Sequence, residues 1–404
     1  MKILHTSDWH IGSTFYGKKR YQEYTNFFAW LHNFIQENQI DILLVSGDIF
    51  DTALPSNTAQ EQYYSFLIGL QKTSCKHVII TAGNHDSPSF LTAPKNLLKS
   101  LNIHVIGTIS QFADKNSSEE IIAIHEKNEE IIILAVPFLR ERDLQTISIT
   151  DDYDTRAEKI VHAIKNYYAK LTQIALEIKS PKGLLFAMGH LYVADSKLEE
   201  EGERELYIGS LAQISAAVFP KEIDYVALGH IHSAQKIANS EHIRYCGSPL
   251  AMSFSEKSSA KKMILLETGD RLKIKEVHIP EFQKTLKISG DLAAIQKKIT
   301  ELKLLDTSVW LEIEYSGEEE FNLKDILYEL VKDSKIEILK FKNQNLLHKY
   351  SYQESTLENL ENLTPDTIFE NILTASPYTE NNKQALLACY HEILSQLHEQ
   401  DSNE

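Results

Sequence analysis

Aspartate, asparagine and histidine recur in five short polar clusters. They are Ser7-Asp8-Trp9-His10, Ser46-Gly47-Asp48-Ile49-Phe50-Asp51, Ala82-Gly83-Asn84-His85-Asp86, Met188-Gly189-His190 and Leu228-Gly229-His230-Ile231-His232. Imidazole, carboxylate and one carboxamide oxygen together suit a borderline-hard divalent cation such as Mn²⁺, with Zn²⁺ and Fe²⁺ as alternatives. No cluster contains cysteine, which argues against a structural zinc site. Seven ligands are too many for one tetrahedral ion and fit two ions sharing a carboxylate. Paired ions of that kind activate water and stabilise displacement at phosphorus. A lone His-x-His or Gly-Asp would read as a turn or a satisfied polar group. The ordered set of five is what carries the reading.

Each cluster follows an apolar run. Ile42–Val45, Val78–Ile80, Leu184–Met188 and Tyr225–Leu228 read as buried strands, and Ile3-Leu4 precedes the first cluster. In open α/β sheets, ligands bind outside the carboxyl ends of strands, so five such ends would converge on one pocket. Gly47, Gly83, Gly189 and Gly229 adjoin the candidate ligands, where a missing side chain allows a sharp turn and close approach. Tyr21, Tyr24, Phe28, Leu31 and Ile35 recur at helical spacing. Ile121–Ile124 and Ile131–Ala135 flank a polar turn, which predicts a hairpin. Met263–Leu266 and Ile274–Ile279 add further strands. The mixture implies a layered α/β domain over residues 1–280.

Beyond Pro280, strand patterns at Thr285–Ile288, Val309–Tyr315 and Ile336–Phe341 alternate with helical ones at Leu292–Leu304 and Leu323–Lys332. This predicts a small α+β domain over residues 281–345. Residues 346–404 form a polar tail with helical stretches near Pro365–Leu373 and Asn382–Leu397. Leu386, Leu387, Tyr390, Ile393, Leu394 and Leu397 lie on one stripe of the last, a face too small to bury itself that needs a partner surface. No internal repeat is present. The acidic run Glu199–Glu205 reads as a solvated loop.

The 404 residues are 43% hydrophobic and 24% charged, an ordinary globular composition. Cys75, Cys246 and Cys389 are far apart and odd in number, so no closed disulfide framework is expected and a reducing compartment fits. The N-terminal apolar run is too short for a signal peptide, and no stretch approaches a membrane span. A cytoplasmic protein is expected. The net charge of −16 disfavours a stand-alone nucleic-acid binder. Its distribution changes that weight: residues 351–404 hold ten acids against Lys383, while residues 1–110 hold eight acids and eight bases. The acidity lies mainly in the tail, and bound divalent ions would invert the field at the clusters.

The order DxH, GDxxD, GNHD, GH, GHxH resembles the calcineurin-like metallophosphoesterase superfamily. Within it the chain is similar to the SbcD family, the nuclease subunits of bacterial double-strand-break repair complexes. Met1–His10, Ser46–Thr52, Pro137-Phe138-Leu139-Arg140, Ala227–His232 and Tyr245-Cys246-Gly247-Ser248-Pro249 carry that closer likeness. The resemblance spans nearly the whole chain. It implies a layered β-sandwich flanked by helices, a capping domain and a C-terminal helical tail. It implies that Asp8, His10, Asp48 and His232 hold one metal, and that Asp48, Asn84, His190 and His230 hold the other. His85 would be the catalytic histidine, paired with the Asp51 carboxylate. It implies Mn²⁺, double-strand exonuclease and single-strand or hairpin endonuclease activity in DNA repair, recombination and replication, and an SbcC-like coiled-coil ATPase docked on the tail. A homodimer within a heterotetramer is also implied, with Gln60–Leu70 and Pro94–Leu101 as candidate contact helices.

Arg140, Arg142 and Ser248 are candidate DNA contacts, as are Lys18, Lys19, Arg20, Lys257, Lys261 and Lys262. Thr52 stands where phosphatases of the superfamily carry an arginine for a phosphomonoester, which weakens a phosphatase reading. The competing functions are a metallophosphatase or cyclic-nucleotide phosphodiesterase acting on small esters, and a non-catalytic DNA-end scaffold. Gly12–Lys19 nearly matches a phosphate-binding P-loop, but Lys19 occupies the place of the Mg²⁺-binding hydroxyl.

Overall fold

The computed structural model describes residues 1–110, 118–144, 153–193, 214–258, 260–318 and 322–344, and positions 369, 373, 383, 384, 386, 387, 389 and 390. The acidic run and most of the two tail helices lie outside the described residues. Residues Met1–Glu314 and Phe321–Lys342 form one compact unit, and Tyr315–Glu320 with Asn343–Glu404 a second. In the second, Phe369 and Tyr390 stack with ring centroids 4.0 Å apart.

The strands in chain order are β1 (Lys2–Thr6), β2 (Thr14–Phe15), β3 (Lys18–Lys19), β4 (Ile42–Ser46), β5 (His77–Thr81), β6 (Ile103–Ile106), β7 (Ile121–Glu126), β8 (Glu129–Ala135), β9 (Leu184–His190), β10 (Tyr225–Gly229), β11 (Gln235–Lys236), β12 (Ile243–Tyr245), β13 (Lys262–Glu267) and β14 (Lys273–His278). They build two six-stranded sheets, ordered β14-β13-β1-β4-β5-β6 and β11-β12-β10-β9-β8-β7. Strands β1, β4, β5 and β6 run parallel, as do β8, β9, β10 and β12. The expected hairpin is β7–β8.

Alternation along the strands makes the layers. Ile3, Ile42, Leu44 and Ile79 of one sheet meet Ile131, Ile133, Phe186, Met188 and Tyr225 of the other. Their neighbours in sequence face outward because side chains alternate every residue. Leu4, Leu43, Val45 and Ile80 pack under α1 (Tyr21–Asn38) and α2 (Asn57–Leu70). Short helices α3 (Pro88–Thr92) and α4 (Lys95–Lys99) follow β5, so the expected helix at Pro94–Leu101 shrinks to about one turn. After the one-turn α5 (Glu141–Leu144), α6 (Tyr153–Ile178) covers the second sheet, laying Ile164, Tyr168, Leu171 and Ala175 on Leu185, Ala187 and Val226. The result is a helix–sheet–sheet–helix sandwich. His5 belongs to no cluster and lies between the sheets, 3.0 Å from the Tyr225 hydroxyl.

The capping region carries β15 (Lys284–Gly290), α7 (Leu292–Lys303), β16 (Val309–Tyr315), α8 (Leu323–Val331) and β17 (Ile336–Asn343), with a sheet ordered β15-β16-β17. The P-loop look-alike is a β2–β3 hairpin. Its turn residues Tyr16 and Gly17 have φ of 47° and 85°, the geometry that two-residue hairpins require. The hairpin meets the cap: Phe15 stacks on Trp310 at 5.5 Å, and Lys340 Nζ sits 4.7 Å above the Tyr16 ring. Among the described residues no helix is long and apolar enough to cross a membrane.

Candidate metal centre

The carboxyl ends of β1, β4 and β5 are adjacent in one sheet, and those of β9 and β10 in the other. Register aligns them: Thr6 pairs with Val45, Ser46 with Thr81, and His190 with Gly229. The first two clusters are also laced by backbone bonds, Asp8 N to Gly47 O and His10 N to Asp48 O, both 3.0 Å. These bonds hold Asp8, His10 and Asp48 at φ of 45–50°, and His230 sits at 102°. Left-handed backbone at non-glycine residues is strained and persists only where surroundings over-determine it.

All seven expected ligands meet in this space. His10 Nε2 lies 3.2 Å from His232 Nε2 and 3.5 Å from Asp48 Oδ2. His190 Nε2 lies 3.3 Å from Asp48 Oδ2 and 2.9 Å from Asn84 Oδ1, which is 3.0 Å from His230 Nδ1. One Asp48 oxygen therefore stands between the two groups of donors. Donor atoms of Asp8, His10 and His232 lie within 4.8 Å of one another, as do those of Asp8, Asp48 and His190. The donor chemistry fits two divalent cations: imidazole nitrogens facing each other at 3.2 Å must share a proton or a cation.

Charge follows burial. Asp8 is pushed up to about 6 by burial, partly offset by His190. Asp48 is also buried, yet His190, His10 and His85 hold it well below the usual carboxylate range. Burial would lower His190, but Asp48 and Asp8 lift it to about 9. Burial takes His230 down to about 3 and also lowers His232, keeping both neutral and able to donate a lone pair.

The glycines allow the expected sharp turn and close approach, and what approaches is the protein itself. At Gly47, with φ of 83°, a β-carbon would overlap His190 Nδ1, and at Gly229 it would overlap Ser46 O. Their absent side chains make room for a neighbouring ligand and strand more than for an ion. His190 Nδ1 donates to Ser46 O at 2.9 Å, fixing the ring with Nε2 toward the centre.

The expected Asp51–His85 carboxylate pair takes another form. His85 Nδ1 donates to the main-chain carbonyl of Asp51 at 2.8 Å. The Asp51 carboxylate turns instead to His10 Nδ1, 3.5 Å away. His10 is buried, and donor atoms of His10, Asp51 and His85 all lie within 4.8 Å of one another. His85 itself is half-buried, its main-chain N–H donating to Asp48 Oδ1 at 2.9 Å.

Asp86 closes the third cluster and is not among the expected ligands. In the fold it ties the loops together. Its carboxylate accepts from Gly83 N at 2.8 Å, Phe50 N at 3.0 Å and Ile49 N at 3.1 Å. Its place in Gly-Asn-His-Asp is the signal that could have found it.

The candidate DNA contacts divide. Arg142 is exposed and lies 3.8 Å from the Asp143 carboxylate. Arg140 is half-buried and donates to Asp86 O at 2.9 Å and, weakly, to Gly83 O at 3.4 Å, clasping the ligand loop. Ser248 is wholly buried and donates to Leu250 O at 2.9 Å, so it cannot reach a DNA backbone; the sharp turn at Gly247 folds it inward. Arg20 is buried in a two-pronged pair with Glu23. Lys18 pairs with Glu337 and Lys262 with Glu276, while Lys19 is exposed. The Lys257 side chain lies outside the described residues. Thr52 is exposed and donates to Leu54 O at 3.3 Å. Beside His190 and His230 a cavity of 280 Å³ is lined by Phe138, Leu139, Tyr192 and Ile160.

Comparison with known proteins supplies the family. Residues 1–234 match the family model for calcineurin-like phosphoesterases, and residues 281–376 match a model described as the type 5 capsule protein repressor C-terminal domain. Curated relatives include the SbcD component of nuclease SbcCD from Escherichia coli K12, 32% identical over 96% of both chains. The protein of the same name from Rhodobacter capsulatus is 33% identical over 69% of both chains. That of Bacillus subtilis is 29% identical over 81% of this chain and 82% of its own.

Proposed function

The chain belongs to the SbcD family of calcineurin-like phosphoesterases, and from that premise we propose that it cleaves DNA at the centre formed by Asp8, His10, Asp48, Asn84, His190, His230 and His232. It is a hydrolase of phosphodiester bonds. The observation that carries the site assignment is one Asp48 oxygen standing between His10 Nε2 and His190 Nε2, with His232 next to His10, and Asn84 and His230 next to His190.

Asp8, His10, Asp48 and His232 would hold one divalent ion, and Asp48, Asn84, His190 and His230 the other; Mn²⁺ suits the donors best. When bound, the pair supplies an activated water and neutralises charge on the phosphate. The protein's own part is positional. Ser46 O aims His190, and the Asp51 carboxylate aims His10. His85, anchored through Nδ1 by Asp51 O, keeps Nε2 for the leaving oxygen, which it protonates as a general acid. Arg140 and Asp86 keep the His85 loop in place. Arg142 supplies an exposed charge for the DNA backbone.

We assign residues 1–280 to the phosphoesterase, 281–345 to the cap and 346–404 to a tail that docks on an SbcC-like coiled-coil ATPase. Ile68 and Leu97, exposed on α2 and α4, belong to a homodimer contact. Cleavage of linear duplex and hairpin DNA with Mn²⁺, with and without such an ATPase and ATP, tests the reading. Stimulation by the ATPase supports it. Marked preference for a small phosphodiester over DNA would reverse it in favour of a small-ester phosphodiesterase.

A further inference from the structure

Three imidazoles turn Nε2 toward the centre, and each has an oxygen behind its Nδ1. For His190 that oxygen is Ser46 O at 2.9 Å, and for His10 it is Asp51 Oδ1 at 3.5 Å. For His232 it is Glu256 Oε1 at 3.9 Å. Glu256 lies on a short turn, Ser255–Ser258, and is 1% exposed. Its Oε1 accepts no hydrogen bond among the described residues, a costly state for a buried carboxylate oxygen. Its other oxygen is held by Lys261.

Lys261 completes a bracket behind the metal ligand. Its ammonium donates to His232 O and to Ser248 Oγ, both at 3.0 Å. Ser248 N donates to the same His232 carbonyl at 3.1 Å. A β-carbon at Gly247 would press into that carbonyl, so the glycine admits the close approach. The lysine that resembled a DNA contact in sequence thus faces inward, and the Gly-Ser-Pro loop acquires a purpose.

We propose that Glu256 is a positioning residue for the metal centre, held by Lys261 so that its free oxygen orients His232 through Nδ1. Carboxylate–histidine–metal relays of this type fix ring orientation, and their loss costs roughly 10- to 100-fold in metal affinity. The inference rests on His232 being a ligand.

Mn²⁺ titrations of the metal-free protein by calorimetry and electron paramagnetic resonance test it without any activity readout. Glu256→Gln should weaken one of two Mn²⁺ sites by roughly 10- to 100-fold and leave the other unchanged. Two sites of wild-type affinity, or equal weakening of both, would overturn the proposal, since a purely structural role does not single out one site. If that variant fails to fold, Glu256→Gln with Lys261→Met removes the stranded ammonium, and the same outcomes apply. His232→Ala is run in parallel. If it keeps both sites, the ligand assignment fails; if it loses one while Glu256→Gln loses neither, only the positioning role fails.

Discussion

Asp86→Ala should destabilise the protein by about 3 kcal/mol and loosen the metal centre, since three buried donors lose their acceptor at about 1 kcal/mol each. The Asp86 carboxylate, 3% exposed, accepts three backbone N–H groups at 2.8, 3.0 and 3.1 Å. Leaving a buried N–H without an acceptor costs roughly 1–3 kcal/mol. The low end applies because burial and the nearby Asp48 already push the Asp86 pKa up, so the anion is not wholly comfortable there. Asp86→Asn keeps one accepting oxygen and should cost about half as much on the same reasoning. Urea unfolding in EDTA measures this without the contribution of bound metal. An alanine variant within about 1 kcal/mol of wild type, no worse than asparagine, would refute the view that Asp86 laces the two loops.

The pH dependence has a definite sign. Burial opposes protonation of His190, but Asp48 and Asp8 raise its pKa from 6.5 to about 9. A raised histidine contributes its stability in full below about 6.5 and loses it as pH climbs through about 9. Unfolding free energy in EDTA should therefore fall over that window, on the order of 3 kcal/mol. Mn²⁺ affinity should rise over the same window, because the ion competes with that proton. Urea melts and Mn²⁺ titrations across that range check both; a flat pair of profiles would contradict the charge assignment. Arg142→Ala should leave the melting temperature unchanged and lower the salt slope of DNA binding by about one, read by fluorescence anisotropy. Arg140→Ala should instead lower thermal stability and Mn²⁺ affinity, since its guanidinium holds Asp86 O and Gly83 O.

The strands and the clustering of the seven candidate ligands were legible because their signals are local. Short apolar runs end in polar clusters, and strand alternation then dictates the layers. Side-chain partners were less legible because they depend on distant chain segments. His85 Nδ1 takes the Asp51 main-chain carbonyl, and the Asp51 carboxylate lies 3.5 Å from His10, far earlier in the chain. Arg140 and Lys261 look like surface charge in sequence and point inward only because neighbouring loops present carbonyls to them. Ser248 is drawn inside by the left-handed turn at Gly247. The hairpin at Thr14–Lys19 was masked by its likeness to a nucleotide loop, although Tyr16-Gly17 is a passable two-residue turn.

The central claim is that seven residues hold two ions while His85 stands outside and delivers the proton. Counting bound Mn²⁺ and measuring cleavage of linear duplex DNA on the same samples of wild type and His85→Gln tests it directly. The account expects two Mn²⁺ per chain in both proteins and cleavage lowered by roughly 10²- to 10⁴-fold in the variant, the usual worth of a general acid. Loss of a metal ion from the variant, or cleavage at the wild-type rate, would contradict it.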